Sequence, residues 1–139
     1  MSAAQKIVLK NPQKLQEFYS NIHEKKIYSY VIFEISEDGT IVVDDEDYKS
    51  YADFFEKFVE ISRGKKDCVY AMVDVEARRG TKKLVFILYC DEQTARRSSI
   101  EHFPLFSEMK KIFPSADLQL AAMQYRDIKE DKIKSRLNF

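Results

Sequence analysis

The sequence predicts an α+β fold, a sandwich in which one sheet is covered by helices on both faces. Two apolar runs carry this expectation, residues 68–75 and 84–89. Each is short, rich in Val, Ile, Phe and Tyr, and bounded by charge and Gly, so each reads as a strand. The basic turn Ala77-Arg78-Arg79-Gly80-Thr81-Lys82 between them makes a hairpin. Neither run alternates cleanly. Val69, Ala71, Val73 and Val75 point one way, yet Tyr70 and Met72, also apolar, point the other. A strand that is apolar on both sides needs cover on both faces of its sheet.

The remaining elements follow in order. Asn11-Pro12 is a helix start, with Asn at the N-cap and Pro at the first helical position. Leu15, Phe18, Tyr19 and Ile22 then form an apolar stripe at three- and four-residue spacing. A strand over about 28–35 turns through Ser36-Glu37-Asp38-Gly39 into a second over 40–43. The acidic run Asp44-Asp45-Glu46-Asp47 lacks the spacing of a calcium loop and reads as the anionic N-terminus of the next helix. That helix spans about 48–61, with Tyr51, Phe54, Phe55 and Phe58 on its buried side and Gly64 just past its end. After the central hairpin, residues 107–113 are helical in pattern and 118–123 read as a short strand. Asp127 caps a last helix, with Glu130 three residues on, and Ile128, Ile133 and Leu137 as its apolar positions.

At 139 residues the chain makes one domain, 1–139, able to bury a core without metals or disulfides. Lys+Arg and Asp+Glu are equal at 23 each, so any electrostatic partner must be met by a local patch and not by net charge. Cys68 and Cys90 fall within apolar strand patterns and read as buried free thiols, small hydrophobes in a cytoplasmic protein. No apolar run approaches the ~18 residues of a membrane span. No catalytic constellation is visible. His23 and His102 lie in different elements without a partner at metal-ligand spacing, and there is no Gly-rich phosphate loop. A basic stripe interleaved with exposed aromatics, as nucleic-acid binding needs, is absent. The chain reads as a monomeric binding module without metal or cofactor, not an enzyme.

The residues resemble the actin-depolymerising factor (ADF)/cofilin family. Asp67-Cys68-Val69-Tyr70-Ala71-Met72-Val73-Asp74-Val75-Glu76 is similar to that family's D-C-x-Y-A-x-x-D-x-E strand, and Lys83-Leu84-Val85-Phe86 to its K-I-V-F strand. Tyr28-Ser29-Tyr30-Val31-Ile32-Phe33-Glu34-Ile35, Ile41-Val42-Val43 and Ser50-Tyr51-Ala52-Asp53-Phe54-Phe55-Glu56-Lys57-Phe58 resemble its first two strands and the helix after them. From Lys83 to Leu137 the chain lies along a yeast-type cofilin without a gap. The resemblance implies the ADF-homology fold, a mixed five-stranded sheet between two helical layers, in the order α-β-β-α-β-β-α-β-α.

It also implies a function and a site. In the family a long third helix inserts between two subdomains of actin. Arg96 and Arg97 fall at that helix's start, Ile100 matches its apolar knob, and Lys110 and Lys111 match its distal basic pair. Lys82, Lys83 and Arg136 match part of a second surface used on filaments. The implied protein binds actin monomers or ADP-filaments and promotes depolymerisation in the cytoplasm at the cytoskeleton. The basic helix also suits phosphoinositides. The chain departs from the family in Ser99 and in Glu101-His102-Phe103-Pro104-Leu105-Phe106, where Pro104 is a helix breaker at ~3 kcal/mol or more. Of the two new aromatics, Phe103 and Phe106, one is expected inside and the other on the binding surface. The hairpin at 77–82 is shorter than in yeast-type cofilins, so weak severing is expected. The family's regulatory serine falls opposite Lys6-Ile7 and not Ser2, so control by phosphorylation there is not expected. An alternative follows from Asp127-Ile128-Lys129-Glu130-Asp131-Lys132-Ile133-Lys134-Ser135-Arg136-Leu137-Asn138-Phe139, which resembles the ending of glia maturation factors, binders of the Arp2/3 complex that remove branches. A scaffold with actin binding lost is a further reading.

Overall fold

The computed structural model describes residues 7–78, 80–91, 94 and 96–137, with the side chains of residues 77, 78, 96 and 97 set aside. The elements are α1 (Gln13–Tyr19), β1 (Tyr30–Ile35), β2 (Ile41–Asp47), α2 (Tyr51–Ser62), β3 (Val69–Arg78), β4 (Thr81–Tyr89), α3 (Arg96–Ile112), β5 (Leu118–Ala122) and α4 (Glu130–Arg136). A π-helical turn (Ser20–Glu24) extends α1, and a 3-10 turn (Tyr125–Ile128) precedes α4. The five strands form one sheet in the order β2-β1-β3-β4-β5. All pairs are antiparallel except β4 with β5, which are parallel and joined across the sheet by α3.

The double-sided apolarity of β3 and β4 is spent as the sequence predicts. On one face Tyr70, Met72, Leu84, Phe86 and Leu88 pack with Leu15, Phe18 and Ile22 of the α1 segment and Leu105, Phe106, Met109 and Phe113 from α3 and its C-terminal end. On the other, Val69, Ala71, Val73, Val75, Val85, Ile87 and Tyr89 pack with Tyr51, Phe54 and Phe58 of α2 and with Ile133 and Leu137. Each layer is a separate core, and the central hairpin is the wall between them.

Several local expectations are corrected. Asn11 does not cap α1: its side-chain oxygen accepts from the Ile41 backbone N–H at 3.2 Å, tying the N-terminal segment to β2. The acidic run does not open α2 but lengthens β2 to Asp47, where pairing with β1 satisfies its backbone. The α2 N-cap is Ser50, whose hydroxyl accepts from the Asp53 N–H at 3.2 Å. Asp127 lies inside the 3-10 turn, and α4 carries no side-chain cap. Cys68 and Cys90 are not free thiols: they form a disulfide, with Cα atoms 4.6 Å apart. The hairpin register explains it. Val69 faces Tyr89, so the next positions outward, Cys68 and Cys90, face one another.

The acids of β2 are managed by a bulge. Ile32 pairs with Asp45 while Phe33 pairs with Val43, leaving Asp44 as the extra residue. Lys65 then bridges two carboxylates, pairing with Glu34 and lying 3.8 Å from Asp44. Burial, reinforced by the Glu34 carboxylate, pushes the Asp44 carboxyl up to about 7. A carboxyl whose pKa is raised on folding favours the folded state below its unfolded pKa, and that contribution is lost as pH rises through about 7. Asp44→Asn is therefore expected to gain stability over the wild type as pH rises from 5 to 8, by about 1 kcal/mol after allowance for solvent screening. Thermal melts of the two proteins across that range check it. A difference that stays constant with pH contradicts it.

Candidate functional site

The longest helix is α3, and its two faces differ in kind. Inward it presents Ser98, His102, Leu105, Phe106 and Met109, all buried. These spacings of three and four residues keep one stripe against the sheet. The first two inward contacts are polar and specific. The Ser98 hydroxyl accepts from the Cys68 backbone N–H at 3.2 Å and lies 3.7 Å from the Cys68 sulfur. His102 Nδ1 and the Tyr70 hydroxyl share a 2.8 Å hydrogen bond in the interior. Burial holds the His102 pKa below its ordinary value, against the opposing pull of Asp67 and Glu101, so the ring is neutral near pH 7. Farther along, Phe106 stands 5.0 Å from the Phe86 ring centroid.

Outward, α3 exposes Ile100 at 52 % and Phe103 at 37 %. Pro104, Ser107 and Lys111 continue that exposed face. At 3.6 residues per turn, Ile100, Pro104, Ser107 and Lys111 lie within roughly 40° of one line along the helix. Lys110 sits to the side, its ammonium 4.9 Å from the centroid of the Phe106 ring. The helix continues through Pro104. An outward proline keeps its ring clear of the sheet, so its cost stays within the helix: the backbone bond that position 104 would otherwise donate and the crowding of its ring against the Ile100 carbonyl. The two new aromatics divide as expected: Phe106 is 2 % exposed and Phe103 lies on the surface.

Among the predicted residues, then, Ile100, Lys110 and Lys111 share the outer half of one helix. Arg96 and Arg97 are its first two positions, and their side chains lie outside the described residues. The second set is less gathered. Lys82 donates to the Tyr48 hydroxyl at 3.2 Å and sits over that ring at 5.2 Å. Lys83, next along β4, points to the opposite side of the strand. Arg136 is exposed at the end of α4. Glu130 at the other end of α4 shares a cleft with Lys82, which puts Arg136 about 9 Å farther along the helix axis. Ser2 and Phe139 lie outside the described residues.

Sequence reasoning missed three features that set this helix in place. The Ser98–Cys68 and Tyr70–His102 contacts were signalled only by polar residues falling on the inward stripe. A third is the N-terminal segment: Ile7 lines a cleft of about 320 Å³ with Ser98, Glu101 and His102, so the start of the described chain lies beside the first turns of α3. The other histidine is also held. His23 Nδ1 is 2.9 Å from a carboxylate oxygen of Asp74, whose side chain is 2 % exposed. Among the described residues no group of three or more His, Cys, Asp or Glu is placed to hold a metal ion, and no helix is long and apolar enough to cross a membrane.

Comparison with known proteins bears on the family and the fold. Residues 8–138 match the family model of cofilin/tropomyosin-type actin-binding proteins. The chain is 30% identical to a Caenorhabditis elegans protein named actin-depolymerizing factor 2, isoform c, covering 86% of this chain and 87% of that one. It is 21% identical to an Arabidopsis thaliana protein named putative actin-depolymerizing factor 11, covering 86% of this chain and 92% of the relative. Among solved structures, that of Streptomyces griseoflavus cofilin superposes with a TM-score of 0.76 at 14% identity, over 94% of this chain and 98% of that one. At that identity the structural match speaks for the fold.

Proposed function

Because the chain belongs to the cofilin/tropomyosin-type actin-binding protein family, we propose that it binds actin through the outer face of α3 and promotes filament depolymerisation. One observation carries the reading. A helix whose inner stripe is fully seated keeps Ile100 and Phe103 exposed on its other side, with Lys110 and Lys111 farther along. Apolar side chains held out on a rigid helix bury area on a partner at small entropic cost, and such positions are where binding energy concentrates. The cations add attraction and register toward an acidic surface.

Depolymerisation then follows from differential affinity. A protein that binds free actin, or one filament conformation, better than the rest shifts the population toward that state by no more than the difference in binding free energy. Lys82, Lys83 and Arg136 supply a second, smaller contact to filaments. Their spread across a β-strand and the far end of α4 supports weak severing.

The test is to mix the protein with actin filaments and follow both pelleting and the rate of disassembly. Faster disassembly with protein bound in the monomer pool is the expected result. Wild-type protein that leaves filament mass and monomer concentration unchanged contradicts the proposal. The C-terminal sequence keeps one alternative in view: a protein that leaves bare actin untouched but lowers branch counts on filaments carrying the Arp2/3 complex is a debranching factor.

A further inference from the structure

The Cys68–Cys90 bond lies where Ser98 in the first turn of α3 makes polar contact with the edge of the central hairpin. Cys68 immediately precedes β3, and Cys90 immediately follows β4. Cys90 is fixed on its other side, where its backbone N–H donates to the Ala122 carbonyl of β5 at 3.0 Å. Both cysteines are 1% exposed and belong to the core beneath α3. Ser98, the third residue of α3, is 5% exposed and touches Cys68 twice, accepting from its N–H and approaching its sulfur at 3.7 Å. Two residues on, Ile100 projects from the same turn to the outside.

We propose that Cys68 and Cys90 are a reversible thiol–disulfide site whose redox state sets how firmly the first turns of α3 are seated, and through them the affinity for the partner. The couple is two thiols and a low-molecular-weight disulfide such as oxidised glutathione. A Cys thiolate attacks the glutathione disulfide and releases one glutathione. The second Cys then displaces the other, so the protein loses two protons and two electrons and two glutathiones form. Reduction reverses each exchange. In the disulfide the two sulfurs occupy bonding distance. As thiols they must separate to van der Waals contact within a closed core. Cys90 is anchored by β5 on one side, and Ser98 is the neighbour that Cys68 meets on the other. The reduced pair therefore pushes on the inner side of α3, and the oxidised pair holds it pre-organised.

Burial makes the site slow and conditional. With 1% exposure at each cysteine, a reductant reaches the bond only when the first turns of α3 lift. A partner resting on the outer face opposes that lifting. Coupling of this kind is reciprocal: if oxidation strengthens partner binding by some factor, the bound partner stabilises the disulfide by the same factor. This linkage rests on the actin-binding reading above, whereas the effect on α3 does not.

The test separates the two. Full-length protein is prepared with oxidised glutathione or with dithiothreitol, and thiols are counted by alkylation under denaturing conditions. No alkylated cysteine is expected in the first preparation and two in the second. Two free thiols in both overturns the site. Amide hydrogen exchange over residues 96–106 is then expected to be about tenfold faster in the reduced form, and to become insensitive to dithiothreitol in Cys90→Ala. Equal exchange in the oxidised and reduced wild type overturns the seating role. Actin monomers are expected to bind the oxidised form at least ~5-fold tighter, and equal affinities overturn the linkage. If exchange differs while neither form binds actin, the thiol–disulfide site stands and the partner assignment falls.

Discussion

Phe86→Ala is expected to lower the free energy of unfolding by about 3–5 kcal/mol, the range for removing a fully buried aromatic ring. Phe86 is wholly buried in β4, between Met72 of β3 and Gln119 of β5. Its ring is the floor on which the C-terminal half of α3 stands: Phe106 is at 5.0 Å, Phe113 at 6.3 Å, and Phe33 and Tyr70 each at 6.4 Å between centroids. Rings anchored from β1, β3 and α3 cannot all move inward, so the void persists and its walls lose contact on one side. Urea unfolding followed by circular dichroism measures the loss. A change below about 1.5 kcal/mol means the site collapses readily, and the hub role is wrong.

Gly39→Ala is expected to cost about 2–4 kcal/mol, from two sources. Gly39 has φ +90°, where a side chain is strained by roughly 1–2 kcal/mol. A Cβ built there also falls 1.9 Å from the Val8 carbonyl oxygen and 2.9 Å from its carbon, so backbone must move. What moves is the N-terminal segment, which the Lys10 N–H holds to the Gly39 carbonyl at 3.0 Å and which carries Ile7, 5% exposed, into the core. Releasing Ile7 forfeits part of the ~1.5–3 kcal/mol that its burial contributes. Gly80→Ala is the control, since φ there is +76° but nothing lies within 4 Å of the added Cβ. Equal losses for the two variants in the same urea series show that the close approach of Val8 does not matter.

The order of elements was legible because β3 and β4 are apolar on both sides and the helices keep three- and four-residue stripes. Boundaries were less so. Asp44 to Asp47 look like a helix entrance, yet strand pairing to β1, the Asp44 bulge and the Lys65 bridge override that local preference. Asn11 before Pro12 has the composition of a cap, but the β2 backbone claims its side chain. The disulfide was hidden for a different reason. Composition makes two cysteines in strands look like ordinary core residues, and only the hairpin register, Val69 opposite Tyr89, brings them face to face. In the same way, His102 looked unpartnered because Tyr70 is 32 residues away in sequence. The candidate site was half legible. The family resemblance puts its residues on one helix, whereas the apolar pattern alone covers only residues 107–113 of α3 (Arg96–Ile112), and the division of Phe103 to the surface and Phe106 to the core needs the helix phase, which Pro104 obscures.

The central claim is that the outward side chains of α3 make the contact with actin. Ile100→Ser combined with Phe103→Ser tests it most directly, because both side chains are substantially exposed and neither belongs to either core. Titration of wild type and variant against actin monomers is expected to show at least ~30-fold weaker binding by the variant, a loss of ~2 kcal/mol or more, at unchanged melting temperature. A variant that binds within about threefold of the wild type would place the contact elsewhere on the molecule.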